Sequence, residues 1–156
     1  MEIRMDIFKP KDLNLSEILG NISISDGRRK SVFKDTFLDS WFCTFVEGLI
    51  SLKKKENVAI DLIEEPYEIY FFVQDNKYIL EILDSIFIIS DILKFETELR
   101  RLISDFLKQI NYNSEKSELE TLNYLNKFIN NRDLSKTNII QPLREISGVN
   151  IKKKIK

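Results

Sequence analysis

The stretch Tyr67-Glu68-Ile69-Tyr70-Phe71-Phe72-Val73-Gln74-Asp75-Asn76-Lys77-Tyr78-Ile79-Leu80-Glu81-Ile82-Leu83-Asp84 decides the fold. Two runs rich in β-branched and aromatic residues flank Asp75-Asn76, a two-residue reversal signal. A tight turn there sets Gln74 opposite Lys77, Val73 opposite Tyr78, Phe71 opposite Leu80 and Ile69 opposite Ile82. Side chains alternate along a strand, so Tyr67, Ile69, Phe71, Val73, Tyr78, Leu80 and Ile82 fall on one wholly apolar face. That face must lie on the core. The opposite face is mixed: Glu68, Tyr70, Phe72, Gln74, Lys77, Ile79, Glu81 and Leu83, with Phe72 across from Ile79 and Tyr70 across from Glu81.

Working outward, Val58, Ile60 and Leu62 alternate with Ala59 and Asp61 before Pro66 forces a break, and Ser85 to Ser90 reads as a further short buried strand. Upstream, Phe37, Leu38, Trp41, Phe42, Phe45, Val46, Leu49, Ile50 and Leu52 leave only a narrow polar stripe of Thr36, Ser40, Thr44, Glu47 and Ser51. A helix over about 36–53 follows, apolar round most of its circumference and therefore central, with Asp35 as its N-cap. Lys53, Lys54 and Lys55 close it where the dipole favours cations. Residues 2–8 and 21–25 alternate as strands. Asp26-Gly27 reads as a tight reversal, and Arg28 to Ser31 as a short edge strand.

Downstream, Asp91 opens a second helix to about 110, with Phe95, Leu99, Leu102, Ile103, Phe106 and Leu107 on its apolar stripe. Ser117-Glu118-Leu119-Glu120 has capping-box spacing and begins a third, about 117–130. Pro142 fits the first turn of a short helix ending before Gly148. The class is α+β: a mostly antiparallel sheet packed on a central helix, in a single domain over 1–150, with 151–156 as a basic tail.

Composition excludes several chemistries. The 156 residues contain no histidine and one cysteine, so Ser–His or Cys–His catalysis and a structural zinc site are ruled out. Gly20, Gly27, Gly48 and Gly148 are isolated and build no phosphate loop. Cys43, within Trp41-Phe42-Cys43-Thr44-Phe45, reads as a buried filler. No secretory signal or membrane span is evident, which makes the cytoplasm the expected location. Without Lys152, Lys153, Lys154 and Lys156, 20 basic residues remain against 25 acidic, a net charge of −5 that disfavours nucleic acid. No cofactor and no catalytic or metal-ligating set is read from the chain.

What remains is a carboxylate cluster and a greasy outer face. Asp61, Glu64, Glu65 and Glu68 crowd a strand end and turn. Alternation places Asp61 and Glu65 on one side and Glu64 on the other. Tyr70, Phe72 and Ile79, ringed by polar residues, have the composition of a protein interface. The competing reading is that another part of the chain folds over that face.

The block from Trp41-Phe42-Cys43-Thr44-Phe45-Val46-Glu47-Gly48-Leu49 through Ile60-Asp61-Leu62-Ile63-Glu64-Glu65-Pro66-Tyr67 resembles, in general plan, the small cytosolic immunity-type proteins of bacterial polymorphic and contact-dependent toxin systems. The resemblance is architectural and carries no diagnostic motif. It implies a non-enzymatic protein that binds a protein partner, a basic toxin or enzyme, through Asp61, Glu64, Glu65, Glu68, Tyr70, Phe72 and Ile79. Two other readings are a carboxylate-based metal-dependent hydrolase and a structural homo-oligomer, a homodimer for example, using the same hairpin face.

Overall fold

A computed structural model describes residues 1–7, 18–62, 65–115, 119–131 and 149–153. Glu64, Ser117, Glu118, the Pro142 segment, Lys154 and Lys156 lie outside the described residues. The fold is α+β, with two antiparallel sheets and three helices among the described residues. β1 (Glu2–Ile7), β2 (Leu19–Ser25) and β3 (Lys30–Phe37) form a three-stranded meander. α1 (Leu38–Lys53) follows, then β4 (Val58–Leu62), β5 (Tyr67–Gln74), β6 (Lys77–Ile82) and β7 (Ser85–Ile89). α2 (Ile92–Gln109), α3 (Glu120–Asn130) and β8 (Val149–Lys153) complete the order. The second sheet runs β7-β6-β5-β4-β8.

The hairpin register is the one the alternation demands. Gln74 opposes Lys77, Phe72 opposes Ile79 and Ile69 opposes Ile82. Asp75 and Asn76 both adopt positive φ, 51° and 60°, which a type I′ turn requires. The inner face lies on α1: Ile69, Phe71, Leu80 and Ile82 are fully buried, as are Trp41, Phe42, Phe45 and Leu49.

α1 has both sheets and both other helices around it, which is why so little of its circumference is polar. Phe33 of β3, Trp41 of α1 and Tyr67 of β5 form an aromatic junction linking the two sheets through the helix. Phe33 and Tyr67 lie 4.8 and 5.7 Å from Trp41, centroid to centroid. On another side Phe42 meets Phe106 of α2 at 4.9 Å. Arg100 of α2 ties the three helices. It donates to the Phe128 carbonyl of α3, lies 4.2 Å above that ring, and pairs at 3.1 Å with Glu96, which also binds Lys53 of α1. Asp91 caps α2, its carboxylate accepting from the Leu93 and Lys94 N–H groups at 3.1 Å each.

Four local expectations are corrected. The central helix starts at Leu38 rather than 36 because β3 runs on to Phe37 and is not a short strand; the Thr36 hydroxyl donates to the Gly20 carbonyl at 3.1 Å. Asp35 is not an N-cap. It sits in a β-bulge at φ 56°, where its N–H donates to Asn21 Oδ1, and a short polar side chain tolerates that left-handed backbone. The β2–β3 reversal passes through Gly27-Arg28: Asp26 N–H donates to the Arg29 carbonyl, and of the two central residues Gly27 alone has positive φ. α3 begins at Glu120 with Leu119 as N-cap, so Glu120 is the first helical residue and not the third, where a capping box needs its acid.

The residues read as a basic tail begin instead as a strand. Ile151, Lys152 and Lys153 pair with Ile60, Ala59 and Val58. Their polarity hid this, since a strand added at a sheet edge gains its ladder hydrogen bonds whatever its side chains. Among the described residues no helix is long and apolar enough to cross a membrane.

Candidate protein-binding face

Residues directly opposed in an antiparallel ladder share a face. The outer face of the five-stranded sheet is therefore built in rows. Asp61 opposes Glu68 at one end. Next, Ala59, Tyr70, Glu81 and Ile86 lie in line across β4 to β7, then Phe72, Ile79 and Ile88, then Gln74 and Lys77. Each hairpin residue reaches this face because one two-residue turn sets the parity of both arms.

Tyr70, Phe72 and Ile79 are thus brought together. They are not equally accessible: Ile79 is 8% exposed between Phe72 and Ile88, whereas Tyr70 and Phe72 are half-buried. The apolar strip continues where the sequence did not show it, to Ile88 and to Ile86, which is 44% exposed. The missing signal was the β6–β7 reversal at Leu83-Asp84. Leu83 holds φ 54° there, and leucine is not a residue that marks such a turn.

The acidic residues divide. Asp61 and Glu68 oppose each other on the outer face, both half-buried. Glu65 lies in the turn before β5, where strand parity no longer applies. Its carboxylate accepts the Trp41 indole N–H at 2.5 Å, which ties it to α1. In the backbone register Asn150 of β8 opposes Asp61 and Lys152 opposes Ala59, so a basic residue holds a position in the Tyr70 row. Among the described residues no three His, Cys, Asp or Glu side chains gather to hold a metal ion.

The other candidate groups are structural. Cys43 is fully buried and its thiol donates to the Thr121 carbonyl at 3.7 Å. Burial, then the carboxylates of Asp39 and Glu47, push that thiol well above its ordinary value. Of the lysines closing α1, Lys53 pairs with Glu96, and Lys55 stacks 4.3 Å above the Tyr78 ring while donating to its hydroxyl. Compared with known proteins, the chain matches no family model, no curated protein and no solved structure.

Proposed function

We propose that the chain is a non-enzymatic protein-binding protein, an immunity-type inhibitor that neutralises a basic protein partner through the outer face of its larger sheet. One observation carries the reading: an aromatic and aliphatic strip of Tyr70, Phe72, Ile79, Ile88 and Ile86 crosses β5 to β7, bordered by Asp61, Glu68 and Glu81 and by Gln74 and Lys77. An apolar centre inside a polar rim is the composition of protein interfaces. The carboxylates at one end would speed encounter with a basic partner and make it salt-sensitive.

The test is capture from the native host's lysate with the chain and with a Tyr70→Ser/Phe72→Ser variant as baits, followed by co-expression of each bait with the captured protein. The expected result is a basic protein held by the native face, lost from the variant and at high salt, whose toxicity is relieved only by the native chain. A variant that binds and protects as well as the native chain overturns the assignment.

A further inference from the structure

β1 is the outermost strand of the three-stranded sheet, and among the described residues no strand pairs with its outer edge. Such an edge offers a row of backbone donors and acceptors to any incoming strand, and proteins ordinarily blunt it with a covering element or with repelling charges. An open groove of about 600 Å³ is lined by β1 and by neighbouring residues of β2 and β3, from Asn21 to Val32, together with Arg101, Leu102, Asp105 and Gln109 of α2.

The charges on β1 alternate in sign. Glu2, Arg4 and Asp6 are exposed on one face, and Ile3, Met5 and Ile7 are half-buried on the other. Arg4 and Glu2 are ion-paired at 2.7 Å and lie 74% and 57% exposed, so both are accessible to a partner. A second copy of β1 can be laid antiparallel in few registers. Offsets that pair odd with even residues set charged side chains against apolar ones. Centred on Arg4, the pairing opposes Arg4 to Arg4 and Glu2 to Asp6, all like-charged. Centred on Ile3, it matches Glu2 with Arg4 but engages only Glu2 to Arg4 of the strand. Centred on Met5, it opposes Arg4 to Asp6 twice, Ile3 to Ile7 twice and Met5 to itself. Over the engaged residues Ile3 to Ile7, Arg4 and Asp6 then meet opposite charges and each apolar side chain meets an apolar one, with Glu2 just beyond the paired span.

We propose that two copies of the chain associate through β1, antiparallel about a two-fold axis at Met5, and join their three-stranded sheets into one of six strands. The occupant is a second copy because the strand's own sign pattern complements itself in this register. This surface is separate from the outer face of the larger sheet, so either assignment can fail without the other.

Sedimentation of the chain from low micromolar to millimolar concentration at low salt tests it. The expected result is a concentration-dependent dimer. Arg4→Glu makes the edge wholly acidic and should raise the dissociation constant at least about tenfold, with the thermal melt unchanged at concentrations where both proteins are monomeric because the site is exposed. The charge swap Arg4→Asp/Asp6→Arg restores opposite signs across the axis and should restore the dimer. Met5→Cys should cross-link to dimer on mild oxidation, since buried Cys43 does not compete. A chain monomeric throughout, a dimer indifferent to Arg4→Glu, or a dimer that Met5→Cys does not cross-link overturns the proposal.

Discussion

Gly48 of α1 sits so close beneath Phe71 of β5 that a Cβ on it would overlap three carbons of the Phe71 ring. The missing side chain is what lets the central helix approach the hairpin. Helix propensity alone favours alanine by about 1 kcal/mol. Overpacking a buried contact costs about 1–3 kcal/mol, so the steric term should win. Gly48→Ala is therefore expected to lower unfolding free energy by up to about 2 kcal/mol in urea titration. Shortening the opposing ring in Gly48→Ala/Phe71→Leu should recover part of the loss. A Gly48→Ala protein more stable than the native chain would show that helix and hairpin do not meet there.

Leu83 holds φ 54° at the β6–β7 reversal and is 60% exposed. A left-handed backbone costs an ordinary L-residue about 1–2 kcal/mol, and less for asparagine, whose short side chain bonds locally. Leu83→Asn is expected to stabilise by about 0.5–1 kcal/mol, read as a higher melting temperature. A lower one would mean that the Leu83 side chain packs more than its exposure implies.

Asp26 joins the two sheets. Its Oδ1 accepts from the Arg28 and Arg29 N–H groups at 2.9 and 3.0 Å, and its Oδ2 accepts the Ile88 N–H of edge strand β7 at 3.2 Å. Burial by itself raises the carboxyl pKa, but the three backbone donors together outweigh it, and the net shift is downward. A depressed folded-state value contributes stability above the unfolded value and loses it as pH falls through the folded one, so the loss lies below about pH 4. Asp26→Asn sets an amide N–H₂ or a shared oxygen against one of those donors. It should cost about 1 kcal/mol at neutral pH and flatten the acid limb of the stability curve. Equal acid limbs for the two proteins would remove Asp26 as the cause.

The raised, fully buried thiol of Cys43 makes labelling a probe of opening. Ellman's reagent should not react with the folded chain, and its rate should follow global unfolding across a urea series. Rapid labelling without denaturant would show that the contact between α1 and α3 at Thr121 opens locally.

The hairpin was legible because two local signals agreed. Period-two alternation in Tyr67 to Gln74 and Lys77 to Ile82 met a two-residue turn whose residues both accept positive φ. α2 was legible for the same reason: Asp91 caps a three–four stripe running to Leu107. Of the candidate face, Tyr70, Phe72 and Ile79 followed from hairpin parity, whereas Ile86 and Ile88 did not, because the reversal that places them runs through a leucine.

Within one helix or one hairpin, backbone periodicity dictates which side chains share a face, and residue order alone therefore determined the α+β class, the central helix and the hairpin register. Contacts between distant residues decided the rest: two sheets rather than one, the Asp35 bulge against Asn21, Glu65 turned to Trp41, and Val58 paired with Lys153. Which polar group lies within hydrogen-bonding reach of another in the folded chain is a property of packing that no local pattern encodes.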